Sequence, residues 1–212
     1  MVLIMYQRAR SKEQINERKE SIIKAMDALY MKKELANIFL KEVADLAGLS
    51  RTAIYSYYSR KEEILLDSLY NHFINLDNTL ELALNEFLNE DTLVDLITKA
   101  LEENIIILKI MSSNLEDIEK TTTLDALVSL KTELKKFQEI IKHLLSKTFP
   151  NANSKDIDYV LYLIITMLYG YYPVTNPIEI QRKAMELTKT TLNTNLTDLI
   201  TTSLKFLFNN LK

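Results

Sequence analysis

Tight turns between strands lean on glycine, and this chain of 212 residues has two glycines and three prolines. A sheet-rich architecture would have little to turn with. The apolar residues recur at helical spacing instead. Ile15, Ile22, Ile23, Met26, Leu29 and Tyr30 fall on one stripe, and Ser11 with Gln14 offers that helix a capping box. Ser59-Arg60-Lys61-Glu62 is a second box, opening a long helix through Ile64, Leu65, Leu69, Phe73, Leu76 and Leu80. Further helices are expected over 91–111, over 123–149 up to Pro150, and from 154 to about 171. Asn176-Pro177-Ile178-Glu179 reads as an N-cap with proline at the first helical position. A last helix follows Asn195, with Leu196, Leu199, Ile200, Leu204, Leu207 and Leu211 on one face. No alternating stretch of useful length suggests a strand. The fold class is all-α.

Several chemistries lack their residues. There is no cysteine, which removes disulfides, thiolate catalysis and cysteine-ligated metal, and suits a reducing cytoplasm. His72 and His143 are the only histidines and stand on separate helices without a metal-spaced partner. No Gly-rich phosphate loop or nucleophile elbow occurs. Neither an enzyme, a cofactor nor a metal site is expected. The apolar opening Met1 to Met5 is short and is followed by its basic residues, the reverse of a secretory signal. The uncharged run within 159–179 is interrupted by Gly170, Pro173 and Pro177, so its helical part is expected to be shorter than the roughly 20 residues a bilayer needs. It reads as a buried helix, and no membrane partner is expected.

Charge is divided unevenly. Residues 1–65 hold 12 Lys and Arg against 9 Asp and Glu, while the rest hold 14 against 20. The result is a modestly basic head on an acidic body, which a solvated surface of uneven charge would also give, so charge alone settles no partner.

The stretch Val43 to Leu65 says more. Leu40, Val43, Ala44 and Ala47 put a small apolar face on a short helix; Gly48 supplies the positive φ of a tight exit, and Leu49 plugs the turn. Ser50 is a natural N-cap for a second short helix, in which Ile54 and Tyr58 lie four apart and point inward. Arg51, Thr52, Tyr55, Ser56 and Tyr57 are left on the outer faces. That describes a helix-turn-helix, whose second helix docks a polar face in the major groove. Guanidinium reads guanine edges and hydroxyls bond phosphates. Lys61 adds a phosphate-directed charge at the start of the next helix.

Ala44, Ala47, Gly48, Leu49, Ser50, then Ile54, Tyr55, Tyr57, Tyr58, then Lys61 and Glu62 resemble the TetR family of bacterial regulators. The resemblance covers about residues 11–70. Two departures stand out: Phe39 replaces the usual Thr or Ser capping the second helix, and 33–37 lacks the usual turn glycine. The resemblance implies a three-helix DNA-binding domain over 1–60, and an effector-binding, dimerising helical bundle over 61–212. It implies Ser50, Arg51, Thr52, Tyr55, Ser56, Tyr57 and Lys61 at double-stranded DNA, at a palindromic operator read by a homodimer. It further implies a repressor controlled by a small effector. Plainer roles stay open: Ser50 as a cap only, Tyr55 and Tyr57 as packing residues, Arg51 and Lys61 as solvated charges.

Val160 to Leu168 is apolar around the whole helix and must be covered on all sides, by its own neighbours or by a second subunit. The resemblance implies dimerisation through this helix and the one at 196–211. Met111, Phe137, His143, Tyr162, Met167 and Tyr169 are the candidate pocket residues, though each reads first as plain core.

Overall fold

The computed structural model describes residues 12–212, so Ser11, its pairing with Gln14 and the apolar opening lie outside the described residues. Those residues are helical with no strand among them, and the chain divides after Ser68 into two compact units.

The first unit contains α1 (Lys12–Tyr30), α2 (Leu40–Leu46), α3 (Arg51–Ile54) and the opening turns of α4 (Lys61–Leu82). Ile22, Met26, Tyr30, Val43, Ala44, Ile54, Tyr58 and Leu65 form its buried core. Polar ties lock α1 to α4: Ser68 donates to Asp27 at 2.6 Å, and the Lys19 ammonium reaches Asp67 at 3.2 Å. The box at the start of α4 differs from the expected one. Glu63, not Glu62, accepts from the Ser59 N–H at 2.8 Å and from its hydroxyl at 2.6 Å. The helix begins one residue later than the Ser-x-x-Glu spacing implied, so the reciprocal carboxylate moves on by one.

The second unit holds the rest of α4 with α5 (Glu90–Glu103), α6 (Ile105–Ser113), α7 (Leu115–Thr121), α8 (Leu124–Thr148), α9 (Ser154–Thr175), α10 (Glu179–Thr188) and α11 (Leu196–Phe208). α9 packs on α6, α8 and α11, and α11 also packs on α5. Side-chain caps fix three starts: Thr123 accepts from the Ala126 N–H, Asn153 from Asp156 and Asn195 from Asp198.

Four expectations are corrected here. The helix expected over 91–111 breaks at Asn104, whose buried amide donates to the Ala100 carbonyl at 3.0 Å and whose oxygen meets His72 Nδ1 at 3.0 Å. α7 has no counterpart among the expected helices. α10 starts at Glu179 behind Ile178, leaving Pro177 outside the helix. α9 runs through Pro173 to Thr175, 22 residues, and is long and apolar enough to cross a membrane.

Nor is α9 covered all round. Ile157, Val160, Leu161, Ile164, Met167 and Leu168 are buried, whereas Tyr159, Tyr162, Leu163 and Tyr169 are exposed. The buried set repeats at intervals of three and four, which is one face of a helix. The other face carries aromatic side chains that this chain alone leaves in water.

Candidate nucleic-acid interface

The turn before α3 is built as its residues require. Gly48 has φ +69°, a conformation that strains any residue with a Cβ, and the Leu49 N–H returns to the Ala44 carbonyl at 2.8 Å. Leu49 is buried beneath it. Ser50 then caps α3: its hydroxyl oxygen accepts from the Ala53 N–H at 3.1 Å and lies 3.1 Å from the Thr52 hydroxyl.

α3 is a short helix prolonged by turns. The N–H groups of Ser56 and Tyr57 bond three residues back, and that of Tyr58 four back, so the segment keeps a helical course to Tyr58. Ile54 and Tyr58 hold it down, fully buried and 3% exposed respectively. The Tyr58 hydroxyl donates to Asp67 at 2.7 Å, beneath the Lys19 ammonium, which stands 5.2 Å from the ring centre. Burial, reinforced by the Asp67 charge, pushes the Tyr58 phenol well above its ordinary pKa. It stays a neutral donor.

With those anchors inward, Arg51, Thr52, Tyr55 and Ser56 are exposed, and Tyr57 is half-buried. Tyr55 is 52% exposed. From Ser50 to Lys61 the sequence carries Arg51, Arg60 and Lys61 and no carboxylate. Six of the seven sequence-derived residues lie on this short helical segment, from Ser50 to Tyr57.

Lys61 stands apart. Its ammonium donates to the carbonyls of Leu35 at 2.6 Å and Ile38 at 3.2 Å, tying the 3₁₀ turn between α1 and α2 to the first residue of α4. Two of its three N–H groups are thereby engaged. Sequence reasoning missed this because the acceptors lie 26 and 23 residues away. It also passed over Arg60, an exposed cation beside the start of α4. The missing cap at Phe39 is half compensated: Glu42 accepts the Phe39 N–H at 3.1 Å while holding Lys33 at 2.6 Å. The hydrogen bond from Lys33, then that from Phe39, keeps the Glu42 carboxyl below its ordinary value, so it is an anion at neutral pH. Phe39 itself is exposed.

The candidate pocket residues do not come together. Met111, Phe137 and Met167 are buried, but His143, Tyr162 and Tyr169 face solvent. Met167 instead lines a groove of about 280 Å³ between α9 and α11, with Leu163, Thr166, Tyr171, Ser203, Phe206 and Leu207. Lys109, in the apolar run of α6, sits 5.9 Å from the centre of the Tyr172 ring.

Comparison with known proteins bears on this arrangement. Residues 70–208 match the family model described as "Tetracyclin repressor-like, C-terminal domain". The HTH-type transcriptional regulator TtgR of Pseudomonas putida is 39% identical over 64 residues, 29% of this chain and 30% of TtgR. The probable regulator ArpR of Pseudomonas putida matches to the same extent, so the similarity spans less than a third of these relatives' length. Among solved structures, FadR from Bacillus subtilis in complex with stearoyl-CoA superposes with a TM-score of 0.61 at 14% identity, covering 90% of this chain and 98% of that one. PfmR from Thermus thermophilus, a TetR-family regulator, gives 0.59 at 14% identity over the same shares. At such identity the likeness speaks for the fold. With a family match over most of its length and a helix-turn-helix ahead of it, this chain belongs to the TetR family of transcriptional regulators.

Proposed function

We propose that this protein represses transcription by binding a palindromic operator as a homodimer, releasing it when a small effector occupies the second unit. The exposed set Arg51, Thr52, Tyr55 and Ser56, held outward by buried Ile54 and Tyr58, carries the reading. Arg51 and Tyr55 read base edges. Ser50, Thr52, Ser56, Tyr57 and Arg60, with the remaining N–H of Lys61, meet phosphates. A gel shift with the promoter of its own or a neighbouring operon tests it. Retention of that fragment over unrelated DNA of equal length is the expected result; equal retention of both argues against operator recognition.

A second copy is the natural cover for the exposed face of α9, with Phe206 of α11 beside it. The tyrosines on that face suit a protein surface better than the centre of a bilayer, where each phenol would need an internal partner. A soluble, cytoplasmic dimer is the consistent reading, and two-fold symmetry matches two half-sites one helical turn apart. An effector changes operator affinity only as far as it binds one dimer geometry more tightly than another. α4 begins with Lys61 and continues to Leu82, so it is the element on which such a preference would act.

A further inference from the structure

α10 is a helix without a core. It has 10 residues, and none of them is buried among the described residues of its own chain. A helix that short is marginal in water unless tertiary packing holds it. Its end is nevertheless firmly built. The Thr190 N–H returns to the Met185 carbonyl at 2.9 Å, and Lys189 takes a left-handed φ of +56°, which strains a residue with a Cβ. Glu179 and Lys183 pair at 2.6 Å one turn apart.

The side in want of cover is Ile180, Ala184 and Leu187, whose spacing of four and then three places them on one face. Ile180 is 74% exposed and Leu187 86%. In the chain, α10 lies directly between α9 and α11. Those two helices share the groove of about 280 Å³, whose lining is mainly Leu163, Met167, Tyr171, Phe206 and Leu207. No residue of the chain's own α10 is among those lining it.

An apolar helix face and an apolar groove that one chain leaves apart can meet between two copies. Two-fold symmetry makes the exchange reciprocal, since each copy offers one helix and one groove. The groove also belongs to the face of α9 and α11 that a second copy covers, so the helix extends that interface and starts no other. A lipid surface suits α10 less. Helices that lie on membranes carry an excess of basic residues on the polar face, whereas here Arg182 and Lys183 are balanced by Glu179 and Glu186.

We propose that α10 is a clasp: Ile180, Ala184 and Leu187 dock in the α9–α11 groove of the partner subunit, reciprocally across the two-fold axis. The inference rests on the homodimer reading above and assigns that dimer an exchanged helix.

The chain has no cysteine, so an introduced pair reports without background. The test co-expresses a tagged full-length Leu187→Cys chain with an untagged Thr166→Cys chain and oxidises the purified protein. Thr166 is an exposed residue of the groove. We expect a disulfide-linked pair of one tagged and one untagged chain as the main crosslinked product. Leu187→Asp, at a position that supports nothing in its own chain, should raise the dimer dissociation constant at least tenfold in analytical ultracentrifugation. With both substitutions in one chain, a monomer whose two thiols close on each other would place the helix on its own groove and overturn the clasp. Absence of the mixed crosslink, with Leu187→Asp dimerising as tightly as the parent, overturns the clasp and leaves the dimer intact. A parent that is monomeric at every concentration overturns both. Sedimentation of the parent but not of Leu187→Asp with phosphatidylcholine–phosphatidylglycerol vesicles, without the mixed crosslink, gives the face to a membrane and overturns the clasp as well.

Discussion

Lys61 invites two expectations that a single substitution separates. Lys61→Met keeps most of the aliphatic stem and removes the ammonium, along with its bonds to the Leu35 and Ile38 carbonyls. A hydrogen bond from a charged donor is worth about 1.5–3 kcal/mol net in favourable settings. The longer of the two is 3.2 Å and the side chain is half-buried, so together they contribute about 2 kcal/mol at this site. With a urea m-value of about 2 kcal/mol/M, that is a midpoint shift of about 1 M in the transition of the first unit. Amide exchange at Asn37 and Ile38 locates the loss, since their N–H groups close the turn that Lys61 braces. Arg51→Met is the control: an exposed cation whose loss leaves stability within about 0.5 kcal/mol. On DNA Lys61→Met should lower the salt dependence by about one counterion, whereas Arg51→Met should alter sequence preference. Should Lys61→Met match the parent in urea and in exchange at Asn37 and Ile38, the bracing role is wrong.

Other outcomes follow from the same structure. The folded chain holds the Asp77 proton to about pH 7, whereas an unfolded chain releases it near 3.8, so this contribution is present below about pH 4 and is lost as pH rises to about 7. The separation implies a ceiling of about 4 kcal/mol; Asp77→Asn should remove that slope in unfolding measured at about pH 5 and about pH 8, and an unchanged slope would contradict the assignment. Gly48→Ala meets no atom within 4 Å, so only backbone strain at φ +69° acts, costing about 1 kcal/mol. Thermal unfolding at the parent temperature would count against it. Leu163→Glu with Phe206→Glu should convert a dimer to monomers in analytical ultracentrifugation, and a dimer that persists places the interface elsewhere.

The helix-turn-helix was legible in sequence because its signals are local. Ser50 caps its helix through an N–H three residues away, Gly48 sets its own φ, and Ile54 and Tyr58 lie one turn apart. The starts expected at 123, at 154 and after Asn195 hold for the same reason, since Thr123, Asn153 and Asn195 cap α8, α9 and α11 locally. The break at Asn104 was not legible, since its oxygen finds His72 on another helix, 32 residues earlier. Lys61 hides its role likewise. The candidate pocket read worst. α9 is apolar on both faces, so composition cannot say which of Tyr162 or Met167 is inside. Asp77 reads in sequence as one more acidic surface residue of a long helix; only packing against α8 reveals it as buried and unpartnered.

Everything turns on whether the outward side of α3 reads DNA bases, and selection of bound duplexes from a random pool asks that directly. The purified full chain should enrich a two-fold symmetric motif with half-sites about 10 base pairs apart. Arg51→Ala should change the preferred bases within each half-site and leave the spacing intact. A parent that enriches no motif, or an Arg51→Ala variant that enriches the parent's motif with equal affinity, would contradict the account.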